Sequence, residues 1–503
     1  MFFRENGKEI TIFYFCEFVL ILLLYYIVMS SLKKTKIIAT VSDINCNEEK
    51  LIWLYNAGAN IVRFNFSHAQ HEAVAKLLQL IKELNETWKT NLSTLLDTKW
   101  PEIRTGNVQE KIIIKKWEQF NIFVDESLVE NPKDIYCDYH YLLEDVKKGQ
   151  TIIIDSWLLK VNVLEVKKTH VVVESLNDHS IWSRRHVNLP GVALKLPGIT
   201  DKDEKDILFG IQHGVDFIAA SFIRHQSNVL EIKSLLQQHN AQHIQIISKI
   251  ENQEALDNLE GIVKESDWIM VARGDLGVEI EISKLPYYQK VIMDTCFTYG
   301  KTIIVATELL KSMVECPFPT RAEVSDVYNS VILRTDCTML SDETAVGKFP
   351  IQSCQMMTDV ILEAEQHTNN KHKDFEITFT TNYALDKKMI AKNALFVADE
   401  VKADCILLFT NSWFLARVVS AFKPNHTVFA FTKDAHVLRS MNFLFAIYPF
   451  LLDSWWKYPL EDEKKALSYL ESNWFIKKGH KIVVINDVIE GNAVSPYVKV
   501  VNM

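Results

Sequence analysis

The sequence contains no C-x-x-C pair; its eight cysteines, Cys16, Cys46, Cys137, Cys296, Cys316, Cys337, Cys354 and Cys405, are scattered along the chain. That excludes a zinc ribbon and leaves no disulfide framework, so the thiols are expected to be buried and reduced, as in the cytoplasm. There is no long Lys/Arg run and the formal net charge is −9, which argues against nucleic acid as a partner. Glycine is scarce, 15 in 503 residues, and loops that hold phosphates by free backbone N–H groups depend on small residues. Apolar content is ordinary and both charge signs are plentiful, which places the chain among globular proteins. At this length two or three domains are expected.

One long apolar run is present. Ile10–Val28 is broken by Glu17, with Lys33, Lys34 and Lys36 beyond it. That length is about enough for a membrane span. No small-residue cleavage site follows, which disfavours a cleavable signal peptide. Two readings stay open, a membrane anchor and translation that begins at Met29. Glu17 near mid-span would cost about 2 kcal/mol or more, which favours the second. Residues 1–32 are set apart as a hydrophobic extension.

The rest of the chain is organised around residues 247–275. Ile244–Ile250 and Trp268–Val271 are apolar runs rich in β-branched residues and read as buried strands. Between them Gln253–Glu265 has the polarity and period of a helix. Parallel strands joined in this way present their C-terminal ends on one face. Lys249, Glu251 and Asp275 would then meet at one rim, where two carboxylates and an ammonium suit a hard cation and an anionic substrate. Taken alone, the same charges could form an ion-pair network on a solvated loop.

From Lys36 onward short strands alternate with amphipathic helices. Lys36–Val41, Asn60–Phe66, Ser93–Thr98, Phe217–Phe222, Ile244–Ile250, Trp268–Arg273, Thr302–Thr307 and Cys337–Leu340 are the candidate strands. That alternation suggests a (β/α)8 barrel. Between Pro101 and Pro190 the runs Lys111–Lys115, Thr151–Ile154, Leu158–Val166 and His170–Val173 are short and β-branched, which predicts an all-β insertion. The charged stretch Asn369–Asp374 marks a boundary. Helix Asp386–Val401, strand Cys405–Phe409, helix Phe414–Phe422, and strands Thr427–Phe431, Lys481–Ile485 and Val498–Val500 then predict a small doubly wound α/β layer.

Ile-Ser-Lys-Ile-Glu-Asn at 247–252 followed by Met-Val-Ala-Arg-Gly-Asp-Leu-Gly-Val-Glu at 270–279 resembles the pyruvate kinase family. The start Met29-Ser30-Ser31-Leu32 also looks like that family's. The resemblance implies an α/β fold: a TIM barrel at 33–100 and 190–368, an inserted small β-barrel lid domain at 101–189, and a C-terminal α/β domain at 375–503. It implies phosphoryl transfer from phosphoenolpyruvate to ADP with Mg2+ (or Mn2+) and K+, in a homotetramer. Lys249 would steady the transferring group, and Glu251 and Asp275 would hold the divalent metal.

Other motifs agree. Arg63-Phe64-Asn65-Phe66-Ser67-His68 resembles the family's R-x-N-F-S-H. Alternation puts Arg63, Asn65 and Ser67 on one side and Phe64 and Phe66 on the other, which equally describes a half-buried strand with a polar outer face. By resemblance Arg63 contacts the phosphoryl group, Asn65 and Ser67 serve K+, and Asn65 and His68 lie near the nucleotide. Asp97 and Thr98 match the remaining K+ ligands, Glu102 the marker of K+ dependence, and Arg104 and Arg185 the nucleotide-phosphate cations. Gly274, Asp275 and Thr307 would hold the substrate carboxylate, with Thr307 also on the proton-donating side. Thr320 and Glu323 form a capping box, and Arg224 reads as a structural arginine that ties loops together.

The sequence departs from the family at Trp100, His186, Glu308 and Asp342, where the pattern has Gly, Gly, Gln and Gly. Thr410–Arg417 stands where many relatives keep a Ser/Thr/Gly loop for an effector phosphate, and Trp413 and Phe414 argue against that use. The family's Gly-rich segment is absent from Asn486–Tyr497. Two alternatives share these residues. One is a metal-dependent barrel aldolase or lyase acting on pyruvate enolate, and the other is a relative that binds phosphoenolpyruvate without turnover.

Overall fold

The structure is a computed structural model and describes residues 32–67, 69–99, 102–368, 376–378, 382–452, 459–490 and 493–503. The expectations for Ile10–Val28, His68, Trp100 and Asn369–Asp374 lie outside the described residues. Two compact units form: one of Ile38–Asp326 with Thr338–Cys354, the other of Val327–Cys337 and Gln355–Met503 with the chain up to Ile37.

In the first unit eight parallel strands close a barrel. They are β1 (Lys36–Val41), β2 (Ile61–Asn65), β3 (Ser93–Asp97), β4 (Phe217–Ala220), β5 (Gln245–Ile250), β6 (Trp268–Ala272), β7 (Thr302–Ala306) and β8 (Cys337–Leu340), in the order β1-β8-β7-β6-β5-β4-β3-β2. Each lies within two residues of its expected bounds. All six residues of β5 are buried, Lys249 among them, as strands covered on both faces require. The expected helix Gln253–Glu265 is two, Gln253–Asp257 and Leu259–Glu265, hinged at Asn258. The helix after the insertion, Asp201–His213, is capped by Thr200, whose side chain accepts from the Asp203 N–H in a capping box. It ends at Gly214 with φ 68, a left-handed turn that a side chain would strain.

The insertion is a six-stranded sheet, ordered Val187–Asn188, Thr151–Ile154, Leu159–Val166, His170–Ser175, Gln119–Phe123, Ile135–Tyr136, beside a ladder of Ile112–Ile114 and His179–Ile181. Alternating Ile and Val residues, with Phe120, Cys137 and Leu159, fill its core. Gln119–Phe123 was not anticipated, because Gln119 and Asn121 interrupt its apolar run, and Ile135–Tyr136 is only 2 residues long.

The second unit carries β9 (Cys405–Phe409), β10 (Val428–Thr432), β11 (Ile447–Leu451), β12 (Lys481–Glu490) and β13 (Ala493–Asn502), ordered β11-β10-β9-β12-β13. Only β13 is antiparallel, and it pairs Asn486 with Tyr497 and Glu490 with Ala493. The described parts of Asn486–Tyr497, residues 486–490 and 493–497, are therefore strand. β11 escaped sequence reading because Pro449 lies within it, and proline is tolerated there because β11 is an edge strand. Phe409, Phe431 and Phe450 stack along the sheet, with centroids 5.8 and 5.4 Å apart. Phe409 and Phe431 are buried, and each contributes roughly 2 kcal/mol on leaving water.

Cys137, Cys296, Cys337, Cys354 and Cys405 are buried free thiols, whereas Cys46 is partly buried and Cys316 is exposed. Among the described residues no helix is long and apolar enough to cross a membrane.

Candidate active site

The C-terminal ends of β2 to β5 bring charge to one rim, the end of such barrels where chemistry sits. Register sets Asp97 opposite Asn65 on one side and Ala219 on the other. Arg63 Nε donates to Asp97 Oδ2 at 2.6 Å and its Nη1 to Thr40 Oγ1 at 3.0 Å. Lys249 Nζ lies 3.1 Å from Asp97 Oδ1, 2.8 Å from Ser221 Oγ and 2.9 Å from Glu251 Oε1. Ser221 Oγ sits 3.2 Å from Asp97 Oδ1. Arg63, Asp97, Lys249 and Glu251 are all buried. Sequence reading missed Ser221 in this cluster; its signal was the position just past β4.

Burial costs each of these charges, and the partners decide who keeps it. Burial alone would lower the Lys249 pKa, but Asp97, Glu251 and Asp275 hold it above its ordinary value. Asp97 is pushed up by burial and down, by more, by Arg63 and Lys249. Glu251 behaves differently. Its burial outweighs Lys249, Asp275 adds repulsion, and the carboxyl is pushed up to about 8. The Phe222 N–H donates to its Oε2 at 2.5 Å, while Oε1 is buried and ion-paired to Lys249 without a hydrogen bond.

β6 and β7 complete the rim. A helix begins directly after β6, Arg273–Glu279, and places Asp275 in an exposed position. The Gly274 N–H donates to Thr307 Oγ1 at 2.7 Å, and that hydroxyl donates to the Ala306 carbonyl at 2.7 Å. Thr307 and Glu308 have φ of 68 and 55, a left-handed pair of non-glycine residues, strain of the kind that clusters at functional sites. Arg273 holds the turn through the Thr307 carbonyl and Asp326, each at 2.7 Å. Glu343 is buried behind it and accepts from the Leu310 and Ser341 N–H groups at 3.2 and 2.7 Å. Asp342, the residue after Ser341, pairs with Lys311.

The monovalent-cation candidates divide. Asp97 and Thr98 are buried at the end of β3, and the Thr98 carbonyl accepts from Ser221 Oγ at 2.9 Å. Asn65 and Ser67 close a turn, Ser67 N–H to Asn65 Oδ1 at 3.1 Å.

Of the nucleotide candidates, Arg104 and Arg185 lie on paired segments of the insertion, whereas Asn65 stands at the end of β2. Arg104 and His186 form an antiparallel bridge. Arg104 Nε donates to Glu102 Oε2 at 2.8 Å, Nη1 to the Arg184 carbonyl at 2.8 Å, and Nη2 to both Glu102 and His186 Nε2, the last at 2.9 Å. Arg185 Nη1 is 3.5 Å from Asp155 Oδ1, which His179 also contacts through Oδ2 at 2.9 Å. Glu279 was not foreseen as a site residue. It accepts from Asn188 Nδ2 at 2.8 Å, and burial pushes its carboxyl up to about 7. Arg224 is structural as expected, bonding the carbonyls of Leu194, Leu196 and Pro197.

Glu251 and Asp275 fit a hard divalent cation. Glu251 has a buried oxygen without a hydrogen bond, and Mg2+ is ordinarily held by one or two carboxylates plus substrate oxygens and water. Among the described residues no group of three or more His, Cys, Asp or Glu could hold a metal by itself, so substrate oxygens and water would complete the shell.

The family model for "Pyruvate kinase, barrel domain" matches residues 32–354, and that for "Pyruvate kinase, alpha/beta domain" matches residues 388–500. The chain is 39% identical to a pyruvate kinase of Bacillus licheniformis over 83% of this chain and 72% of that protein. It is 36% identical to a pyruvate kinase of Dictyostelium discoideum over 92% of each. A crystal structure of a pyruvate kinase from Cryptosporidium parvum superposes with a TM-score of 0.88 at 34% identity, covering 94% of this chain and 97% of that one.

Proposed function

We infer, from a chain that belongs to the pyruvate kinase family, how its own residues carry the reaction. The protein is a phosphotransferase that moves the phosphoryl group of phosphoenolpyruvate to ADP, giving pyruvate and ATP, the last step of glycolysis. The observation that supports our residue assignment is the Lys249 ammonium held between Asp97, Ser221 and Glu251 beside the Arg63 guanidinium. Two cations fixed side by side by buried carboxylates need no reorganisation when charge develops on a transferring phosphoryl group.

In this reading Arg63 and Lys249 neutralise the equatorial phosphoryl oxygens, Glu251 and Asp275 hold Mg2+ (or Mn2+), and the N–H groups of Gly274 and Asp275 with Thr307 orient the substrate carboxylate. When bound, the divalent ion would supply charge neutralisation for the substrate's oxygens. Asn65, Ser67, Asp97 and Thr98 offer oxygens to K+. Arg104 and Arg185 take the phosphates of ADP near Asn65 and His68. Thr307 and water return a proton to the enolate on the face opposite the transfer. A cytoplasmic homotetramer is the family-level expectation carried with this reading.

The test is turnover. Purified protein with Mg2+ and K+ should form ATP from phosphoenolpyruvate and ADP, measured against cleavage of 2-keto acids. Cleavage without ATP formation would point to the aldolase or lyase alternative. Binding of phosphoenolpyruvate without ATP would point to a non-catalytic relative.

A further inference from the structure

His186 stands at the point where the insertion returns to the barrel, and its backbone is fixed from both sides. Its carbonyl accepts from the Asp155 N–H at 2.9 Å, and the neighbouring Val187 N–H donates to the Ile103 carbonyl at 2.8 Å. The Thr105 N–H donates to the Arg185 carbonyl and the Arg184 N–H to the Gly106 carbonyl, at 2.8 and 3.0 Å. The imidazole is therefore delivered to the Arg104 side chain by a rigid ladder. Its Nε2 lies 2.9 Å from Arg104 Nη2 and 3.7 Å from Glu102 Oε1.

A guanidinium can only donate, so His186 Nε2 accepts and the ring proton sits on Nδ1. Burial lowers the imidazole pKa, Arg104 lowers it further, and Glu102, Asp275 and Asp155 raise it by less. The neutral acceptor form is the one this contact requires.

Arg104 has five N–H donors. Nε and one Nη2 hydrogen go to Glu102, the other Nη2 hydrogen to His186, and one Nη1 hydrogen to the Arg184 carbonyl. One Nη1 hydrogen is left over. Glu102 alone would let the fork pivot about its Nε–Nη2 edge; His186 takes the other Nη2 hydrogen, on the adjoining Nη1–Nη2 side, and one Nη1 hydrogen stays open.

We propose that His186 is a positioning residue for ADP, bracing Arg104 together with Glu102 so that the guanidinium presents its Nη1 corner to the nucleotide's phosphates. This rests on the reading of Arg104 as a nucleotide contact. Ordering a flexible side chain on binding carries a free-energy cost, so loss of the brace should weaken the ADP interaction by roughly three- to tenfold.

Steady-state kinetics on the full chain, with ADP and phosphoenolpyruvate varied separately, tests this. His186→Ala and His186→Gly should each raise the KM for ADP by roughly three- to tenfold, while kcat and the KM for phosphoenolpyruvate stay within about twofold. His186→Gln, which can offer an uncharged acceptor near the Nε2 position, should restore the ADP value. An unchanged or lower KM for ADP in both small variants, an equal rise for phosphoenolpyruvate, or no rescue by Gln overturns the proposal. Thermal unfolding shows which small variant is folded, and either suffices. Arg104→Ala separates the two failures. If it raises the KM for ADP and the His186 variants do not, the brace alone is wrong; if it does not, the nucleotide reading of Arg104 falls too.

Discussion

Lys249 in the barrel and Lys423 in the second unit are both buried lysines ion-paired to an aspartate. Lys423 has one carboxylate, Asp336, and lies over the Phe445 ring at 5.0 Å. Burial pushes its pKa down and the single aspartate recovers part of the loss. Lys249 touches two carboxylates and a serine, with Asp275 adding attraction, and its pKa ends above the ordinary value. Lys423 sits in a buried ion pair with Asp336. Lys249 belongs to a cluster at a rim, where Glu251 retains an oxygen without a hydrogen bond. A buried charge is therefore not by itself a site; several buried charges that share partners at a strand end are the better sign.

The same substitution at the two lysines should have opposite consequences for turnover and stability. Lys249→Met should lower kcat by on the order of 10³-fold or more, because its ammonium acts on the transition state, while calorimetry with Mn2+ shows binding largely retained. Near-wild-type turnover would remove Lys249 from the mechanism. Lys423→Met should instead leave kcat per folded molecule intact and cost about 3 kcal/mol of stability, the penalty of removing one member of a buried ion pair. Denaturant unfolding measures it, and a kinetic defect without a stability loss would reverse the assignment.

Monovalent-cation dependence sharpens the contrast further. ATP formation should fall at least about tenfold, roughly 1.4 kcal/mol, when K+ is replaced by a large organic cation. Glu102→Lys should reduce that dependence. Because Glu102 also anchors Arg104, the same variant should raise the KM for ADP. Equal rates in both cations would dismiss the monovalent site.

The smallest effect belongs to the second unit. Trp413 opens the helix Trp413–Ala421, and the Arg417 guanidinium lies over the Trp413 and Phe414 rings at 4.8 and 5.1 Å. The cation that an effector phosphate would need is already engaged, and the rings crowd the helix start. Fructose 1,6-bisphosphate should leave the apparent constant for phosphoenolpyruvate unchanged. A tenfold reduction that survives or grows in Trp413→Gly would contradict this.

Strand identity and the rim residues were legible because they rest on local patterns: β-branched runs of five or six residues with polar residues at their C-terminal ends. Lys249 and Glu251 could be placed at a rim this way, Arg63 and Asp97 were named through the resemblance of their motifs, and Thr320 could be named as a cap. Ser221 and Glu279 carry no such pattern. A serine after a strand and a glutamate ending a seven-residue helix gain meaning only from Lys249 and Asn188. β11 was hidden for the opposite reason, since Pro449 breaks the local rule at an edge where tertiary position permits it.

By itself the sequence determined the alternation of strand and helix, the β-rich insertion, and which side chains stand at strand ends, because each depends on periods of two or 3.6 residues along the chain. Only the tertiary structure decided who pairs with whom. Arg63 meets Asp97 across 34 positions, Arg104 meets His186 across 82, and Lys249 meets Asp97 across 152. No local period encodes such a pairing. It follows from barrel closure and from the register of neighbouring strands, which set the ends of β2, β3 and β5 at one rim and leave the buried charges to find partners there.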